Sequence, residues 1–182
     1  DVIECTGVLH HMRDPEAGLK ILLDILKQGG FLKLGLYSEL SRKHIIEIRD
    51  FVKKNNFSTS VEGIRNCREI IKNNNDKKSF KKLAYNYDFY STSSLRDLIF
   101  HVQEHRFTIP KISKFINNYG LEFLGFTNSS IKKKYSNHYS DDKTNTLLNN
   151  WHKFELNNPD LFINIFDILG TSSSIIASKT CG

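Results

Sequence analysis

Two histidines and a glutamate stand at metal-ligand spacing near the middle of the chain. The segment His101–His105 reads His-Val-Gln-Glu-His and matches the H-x-x-E-H pattern of some zinc-dependent hydrolases. A helix beginning near Ser94 is predicted to carry it, which would place both histidines on one face, with Glu104 beside them as a general base. Composition alone offers Glu122 and Glu155 as a third ligand. Because the pattern fixes only three positions, zinc hydrolysis is one hypothesis among several.

A second group of candidate residues follows two short apolar segments near the N-terminus. The groups Cys5–Gly7 and Tyr37–Glu39 each stand where a predicted strand ends. Open parallel sheets bind ligands at the carboxyl ends of their strands, so these two loops are predicted to form a site. Gly7 would allow a ligand to approach the backbone closely, or it would serve only the turn. His10 and His11 lie just beyond, either in the site or as structural residues that cap the turn and pack against the sheet.

The elements that must position these loops have clear local signals. Val2–Cys5 is short and apolar at its start, which predicts a buried strand. Asp14 and Pro15 are typical of a helix N-terminus, and Gly29-Gly30 ends the leucine-rich helix that follows. Phe31–Tyr37 is predicted to be a second strand, covered on both faces. Strand, helix and strand within about 37 residues predict a parallel pair joined by a right-handed crossover.

The remaining chain divides into three predicted regions. Residues 41–120 have helical periodicity and are interpreted as a helical insertion that interrupts the 1–40 core. Residues 121–170 are predicted to contain two strands, Leu121–Phe126 and one around Phe162–Leu169, with a helix near Asp142–Asn157 between them. Leu147, Trp151 and Phe154 are expected to face inward on that helix. The tail 171–182 has little apolar signal.

The first fifteen residues carry a specific pattern. Asp1–Pro15 combines a strand ending in small residues, Val-Leu-His-His, and Asp-Pro, and a leucine helix, a glycine pair and a strand follow. This arrangement resembles the fourth strand, following helix and fifth strand of class I S-adenosylmethionine-dependent methyltransferases. The resemblance strictly covers Asp1 to about Ser38. It implies an α/β fold: the C-terminal half of a Rossmann-like doubly wound sheet with a helical insertion and a final antiparallel strand pair.

The later sequence resembles a bacterial methyltransferase subgroup that is often fused to tetratricopeptide repeats. The segments that carry this likeness are Gly35–Ser38 with Arg42, Phe89–Ser91, Arg96-Asp97, His101–Phe107 and Leu121–Phe126. The resemblance implies methyl transfer from S-adenosylmethionine to an unidentified acceptor, with no metal. A tetratricopeptide-repeat region in the full-length chain is an expected partner.

The resemblance also implies roles for individual residues. Cys5, Thr6, Gly7 and His10 would bind the methionine end of the cofactor. The candidates for catalysis are His11, Tyr37, His101, Glu104 and His105. The candidates for substrate binding are Tyr37, Tyr90, Arg96 and Arg106, of which the two arginines could instead form surface ion pairs and Tyr90 could instead be a core residue.

Much of the expected methyltransferase is absent from this sequence. The glycine-rich loop, the acidic residue for the ribose hydroxyls and the adenine-binding residues would all precede Asp1. We therefore expect a truncated chain that binds the cofactor weakly or not at all and is inactive alone. The strand Val2–Cys5 would also present an unpaired edge, which predicts self-association.

Charge supports a further alternative, a basic nucleic-acid-binding module. The 182 residues contain 26 Lys and Arg against 20 Asp and Glu, a formal net charge of +6. Lysines are interleaved with aromatic residues at Lys132–Tyr135 and at Lys81-Lys82, close to Tyr85 and Tyr87. The other interpretation is a solvated lysine-rich face. The charge is therefore compatible with a nucleic-acid partner but does not by itself indicate one.

Cysteine usage and hydropathy exclude several classes of protein. The three cysteines are odd in number and lack C-x-x-C spacing, so neither a disulfide framework nor a cysteine zinc site is predicted. No apolar run approaches the roughly 20 residues that a membrane span needs, and no secretory signal is visible. A cytoplasmic protein with no membrane partner is expected.

Overall fold

The fold was analysed in a computed structural model that describes residues 1–74, 76–100, 103–142, 146–161 and 165–172. The chain forms two compact units. The first comprises Asp1–Ser41 and Gln103–Gly182, and the second comprises Arg42–Val102. His101, a predicted catalytic and metal-binding residue, lies outside the described residues, as does the predicted tail beyond Ser172.

Four strands and eight α-helices account for most of the described chain. In chain order they are β1 (Val2–Thr6), α1 (Pro15–Ile25), β2 (Phe31–Tyr37), α2 (Lys43–Lys54), α3 (Val61–Asn73), α4 (Lys78–Ala84), α5 (Thr92–Leu95), α6 (Ile109–Asn118), β3 (Leu121–Phe126), α7 (Ser129–His138), α8 (Leu148–Asn157) and β4 (Ile165–Ser172). Short 3-10 turns occur at Leu9–His11, Tyr87–Phe89 and Pro159–Leu161, and a π-helical turn at Arg96–Phe100.

The sheet of the first unit is mixed, in the order β1-β2-β4-β3. β1 and β2 are parallel, with Val2 opposite Phe31 and Thr6 opposite Gly35, so the predicted strand–helix–strand unit is confirmed. β4 lies between β2 and β3 and is antiparallel to both. The carboxyl ends of β1 and β2 therefore open at the same edge of the sheet.

The helix between these strands begins where the sequence predicts. The Asp14 carboxylate accepts hydrogen bonds from the backbone N–H groups of Glu16 and Ala17, and Pro15 occupies the first turn, where its missing N–H is harmless. Gly29 has φ of 72°, a conformation that most side chains disfavour, and turns the chain into β2. Local signals alone thus determine this segment.

The core of the first unit lies on the sheet and joins all its layers. Leu19 of α1, Leu34 of β2, Ile112 of α6 and Trp151 of α8 belong to one buried cluster. In the same cluster the Tyr135 ring stacks on Trp151, with ring centroids 3.7 Å apart and planes 11° from parallel. This aromatic pair fixes α7 against α8.

Several elements of the first unit differ from the expectations. α6 packs its buried face into the first unit's core, although the predicted insertion extended to residue 120, whereas the second unit ends at Val102. α7 was not predicted. Trp151 and Phe154 are buried as expected, but the inward orientation of Leu147 was wrong, because its side chain is 51% exposed. Leu147 precedes α8 with an extended backbone, so it does not share the helix's buried face.

The second unit is helical and has its own core. Ile48, Ile64, Cys67 and Phe89 are among its fully buried residues, contributed by α2, α3 and the turn before α5. The guanidinium of Arg49 donates two hydrogen bonds to the Leu98 carbonyl, at 3.0 and 2.9 Å, and so caps the π-helical turn. Among the described residues, no helix is long and apolar enough to cross a membrane.

The buried hydrogen bond between Tyr135 and Asp142 should be a measurable source of stability. The Tyr135 hydroxyl donates to the Asp142 carboxylate, and both residues are buried. We expect Tyr135→Phe to lower the free energy of unfolding by about 1–3 kcal/mol, because a buried carboxylate loses a donor. Urea denaturation measures this change. Tyr85→Phe, at a tyrosine that is 79% exposed, is the control and should be neutral; equal effects would contradict the assignment.

The edge of the sheet should mediate self-association. β1 has a single neighbour among the described strands, and Val2 on it is 68% exposed. Unpaired strand edges pair readily with a second copy, so size-exclusion chromatography with light scattering should show mass rising with concentration. Val2→Lys should suppress this, whereas Val61→Lys, at an apolar residue 45% exposed in the second unit, should not. A monomer at every concentration would refute the prediction.

Candidate functional site

Three rings form a compact cluster where β1 and β2 end. The imidazole of His10 stacks on the Tyr37 ring, with centroids 3.6 Å apart and planes 24° from parallel. His11 meets both edge-on, at 4.4 Å from His10 and 5.5 Å from Tyr37. His10 is fully buried, whereas His11 is partly exposed. The structure therefore brings together one predicted cofactor residue and two predicted catalytic residues.

A tight turn sets the positions of the two histidines. Residues Leu9–His11 form a single 3-10 turn, closed by the bond from His11 N–H to the Val8 carbonyl at 2.9 Å. Gly18 of α1 lets this turn approach the helix, because a Cβ there would lie 2.8 Å from Leu9 Cδ2 and 2.5 Å from Met12 Sδ. The helix and the turn thus pack too closely for any larger residue at position 18 without displacement.

An extended segment ties the loop after β1 to the loop after β2. The backbone N–H of His105 donates to the His10 carbonyl at 2.8 Å, and that of Phe107 donates to the Tyr37 carbonyl at 2.8 Å. Glu39 N–H donates to the Phe107 carbonyl at 2.9 Å. The segment therefore continues the hydrogen bonding of the sheet past the end of β2 and holds both site loops together.

The helical placement of the H-x-x-E-H pattern was wrong. Glu104 and His105 lie in this extended segment and not in a helix, because the backbone N–H of His105 pairs with the His10 carbonyl instead. The Glu104 side chain is almost fully buried, and its carboxylate lies 3.8 Å from the Arg106 guanidinium. Within the described part of the chain no cluster of three potential metal ligands occurs, and His101 is not in that part.

The three residues that end β1 differ in exposure. Cys5 is buried in the core, where burial raises the pKa of its thiol despite a hydrogen bond with the backbone of Leu9. Thr6 and Gly7 are exposed, and Gly7 has φ of 77° with open space where a Cβ would stand. Gly35 lets Thr6 lie close to β2, since a Cβ there would be 2.5 Å from Thr6 Cγ2. The backbone of Thr6-Gly7 is therefore the accessible part of this loop.

A buried carboxylate is hydrogen-bonded to the residue that follows β2. Glu155 of α8 is fully buried, and its Oε1 accepts a hydrogen bond from the Ser38 hydroxyl at 3.0 Å. Its Oε2 lies 4.0 Å from Nδ1 of His152. Burial, more than any charge, raises the pKa of Glu155 to about 7. The sequence suggested Glu155 only as a third metal ligand. Its hydrogen-bond partner Ser38 lies 117 residues away, so no local sequence pattern indicates this contact.

An open cleft of about 600 Å³ lies in the first unit beside these loops. Its walls combine basic and acidic side chains with two aromatic rings. They consist of Arg13, Asp14, Pro15, Glu16, His105, Arg106, Phe107, Lys111 and Phe115. Predicted catalytic and substrate residues His105 and Arg106 thus line a cavity large enough for a side chain or a small ligand.

The other two predicted substrate residues belong to the second unit. Tyr90 is 66% exposed, so it is not a core residue, and its hydroxyl donates to the Ala84 carbonyl at 3.1 Å. Arg96 begins the π-helical turn and is also exposed. Each is accessible on the surface of that unit.

Comparison with solved structures identifies the fold. The structure of PKMT2 from Rickettsia typhi, a methyltransferase, matches all of this chain with a TM-score of 0.68, and its complex with AdoHcy matches with a TM-score of 0.71. Sequence identity is 14% in both cases, and the matches cover 37% and 38% of the PKMT2 chain. The fold is therefore methyltransferase-like and mixed α/β.

Sequence comparison finds a relative that is described as an uncharacterized protein. The protein syc1184_c of a Synechococcus strain is 27% identical over 133 residues, which are 70% of this chain and 32% of the relative. No protein-family profile matches the chain. The chain thus spans about a third of the length of the proteins it matches.

The buried Glu155 should make stability depend on pH in a definite direction. Below pH 4.5 the carboxyl is protonated in the folded and unfolded states; as pH rises towards 7 only the unfolded state releases the proton, so stability falls. Glu155→Gln cannot titrate, so its stability relative to the parent should increase by up to about 3 kcal/mol between pH 4.5 and 8. Urea denaturation across this range measures the difference.

Glu122→Gln, at an exposed carboxylate on β3, is the matched control. Its stability relative to the parent should stay within about 0.5 kcal/mol over the same range. A Glu155→Gln difference that does not change with pH would show that the buried carboxyl does not retain its proton.

Proposed function

We propose that this chain is part of a methyltransferase that transfers a methyl group from S-adenosylmethionine to an acceptor. The observation that carries the proposal is the match of the whole chain to a methyltransferase in complex with AdoHcy, the product that S-adenosylmethionine leaves after methyl transfer. The open loops at the carboxyl ends of two parallel strands support it, because ligands of open α/β sheets bind there.

The loop after β1 fits the methionine end of such a cofactor. Gly7 is exposed and has no side chain, so a ligand can reach its backbone, and the exposed Thr6 stands beside it. Cys5 is buried and contributes to the core under the loop rather than a side-chain contact. The buried ring of His10 supports the loop through its stack on Tyr37. Residues before Asp1 would supply the remaining contacts.

Methyl transfer depends mainly on alignment. The bound cofactor supplies an electrophilic methyl group, and the protein must hold the acceptor atom in line with it and accept any proton that is released. We assign proton acceptance to His11, which is partly exposed next to the buried His10 and Tyr37 rings. Glu104 has a positioning role, because its buried carboxylate lies beside Arg106 in the segment that joins the two loops.

The cleft beside the loops is the proposed entry of the acceptor. His105, Arg106 and Lys111 bring positive or titratable groups to its lining, and Glu16 brings a negative charge. Phe107 and Phe115 add an apolar surface. Tyr90 and Arg96, exposed on the second unit, remain proposed substrate-binding residues of that unit.

We also propose that the activity belongs to a longer polypeptide. The chain corresponds to about a third of the proteins it matches, so the glycine-rich loop and the ribose-binding acid are proposed to lie in a preceding region. A strand of that region would pair with the exposed edge of β1. A fused tetratricopeptide-repeat region and a cytoplasmic location complete this proposal.

Calorimetric titration of AdoHcy tests the function. A polypeptide extended upstream to include the missing strands should bind AdoHcy with micromolar affinity, whereas this chain alone should bind weakly or not at all. In the extended protein, Gly7→Val should weaken binding by at least tenfold, because the side chain occupies the space that the cofactor needs. If neither polypeptide bound AdoHcy, the proposed function would be refuted.

Gly29→Val is the matched control for this substitution. Gly29 has φ of 72° and open space around its Cβ position, as Gly7 has with φ of 77°, so the backbone strain is comparable. It lies at the other end of the sheet, before β2 begins, and its replacement should leave AdoHcy affinity unchanged. Equal losses in the two variants would show that strain, and not cofactor contact, causes the effect.

A further inference from the structure

We propose that the second unit, Arg42–Val102, binds single-stranded nucleic acid through a surface that we call the lysine–tyrosine face. It consists of Lys78, Lys81 and Lys82 of α4 together with the exposed tyrosines Tyr85, Tyr87 and Tyr90. Of this face, only Tyr90 is also a candidate for acceptor binding. The proposal is tested at the lysines, Tyr85 and Tyr87, so it stands whether or not the methyltransferase function is correct.

The net charge of the protein is confined to the second unit. Residues 42–102 contain 13 Lys and Arg against 7 Asp and Glu, a formal charge of +6, and the first unit contains 13 of each and is formally neutral. The excess of positive over negative charge is therefore not spread evenly over the molecule. A unit with net positive charge attracts polyanions.

Within this unit, α4 presents its lysines as one stripe. Ser79, Phe80 and Leu83 form the buried face of the helix. Lys78, Lys81 and Lys82 are exposed, and Tyr85, the residue that ends the helix, is 79% exposed. Positions 78, 81, 82 and 85 are separated by three, four and seven residues, so they follow one side of a helix with 3.6 residues per turn.

The tyrosines extend the stripe and are held in place. Tyr87 is 94% exposed and Tyr90 is 66% exposed. Phe89 between them is fully buried and anchors the loop. The Asn86 side chain accepts a hydrogen bond from Asp88 N–H at 3.0 Å. Large aromatic side chains are thus exposed from a loop that is fixed by its own buried residue.

The composition of this face favours nucleic acid over an acidic protein. Protein interfaces are enriched in tyrosine but depleted in lysine. Surfaces for single strands instead combine lysines that follow the phosphates with aromatic rings on which bases stack. The carboxylates Asp76 and Asp88 flank the face but leave a net positive charge on it. An acidic protein ligand is the alternative that the experiment must distinguish.

The run Lys132–Lys134 has no exposed tyrosine beside it in the described chain. Lys132–Lys134 belong to α7 of the first unit, but the adjacent Tyr135 is fully buried under Trp151. In the sequence, both lysine runs are followed by tyrosines. In the structure, the tyrosines that follow Lys81-Lys82 are exposed, whereas Tyr135 is buried. Lys132–Lys134 therefore provide a matched control with the same number of lysines.

Fluorescence anisotropy of a labelled oligothymidylate of about 20 nucleotides, titrated with the whole 182-residue chain, tests the proposal. The triple variant K78Q/K81Q/K82Q should weaken binding at least tenfold. It should also make the dependence of log affinity on log salt concentration shallower by about 2, since each phosphate contact contributes roughly 0.7 for single strands. The matched variant K132Q/K133Q/K134Q should change affinity by less than about twofold.

The contribution of the tyrosines can be distinguished from that of the lysines by its salt dependence. Tyr85→Ala combined with Tyr87→Ala should weaken binding about tenfold without changing the salt dependence, and the corresponding phenylalanine variants should bind as the parent does, because they keep the ring. Circular dichroism verifies that each variant is folded. Equal losses in the two lysine variants, absence of oligothymidylate binding at low salt, or equally strong binding of polyglutamate would each overturn the proposal.

Discussion

The candidate site depends on a short run of backbone hydrogen bonds between the segment His105–Phe107 and the ends of two loops. The carbonyls of His10 and Tyr37 each accept one bond from this segment, and the Phe107 carbonyl accepts one from the Glu39 N–H. These bonds add main-chain contacts to the ring contacts and the strand pairing that also join the loops after β1 and β2. With them, the stacked rings of His10 and Tyr37 are held from both sides, so the site is organised by main-chain pairing before any side chain is considered.

A second layer of support comes from polar groups that the protein buries. The carboxyl of Glu155 accepts a hydrogen bond from the hydroxyl of Ser38, which directly follows the strand that ends in Tyr37. Burying a carboxyl costs free energy unless it is neutral or hydrogen-bonded, and here a raised pKa and a serine donor both reduce the cost. Tyr135, which stacks on Trp151, likewise donates a hydrogen bond to the buried carboxylate of Asp142. The region around the strand end is therefore tied together by specific partners as well as by apolar packing.

Local signals in the sequence were sufficient for the strand–helix–strand unit and for β3. The Asp14-Pro15 cap, the leucine spacing of α1 and the glycine pair after it are all read within one short window. The segment His105–Phe107 could not be placed in this way, because the backbone partners of His105 and Phe107 lie about 95 and 70 residues earlier in the chain. α7 has few apolar residues in helical register; only Ile131 and Tyr135 are buried, so its periodicity is weak. Backbone pairing between distant residues and a helix with few buried residues therefore could not be predicted from the sequence.

The bond between Glu39 and Phe107 joins residues 68 positions apart in the chain, yet their backbone atoms are only 2.9 Å from each other. The polypeptide chain therefore leaves the first unit shortly after Glu39 and, once it has returned, lies beside the same residue at Phe107. Closing so long a loop costs chain entropy, and the cost grows only slowly with further length. The intervening segment can consequently vary in size at little expense to the sheet, whereas the rate at which the two segments of the first unit meet during folding depends on how compact that segment has already become.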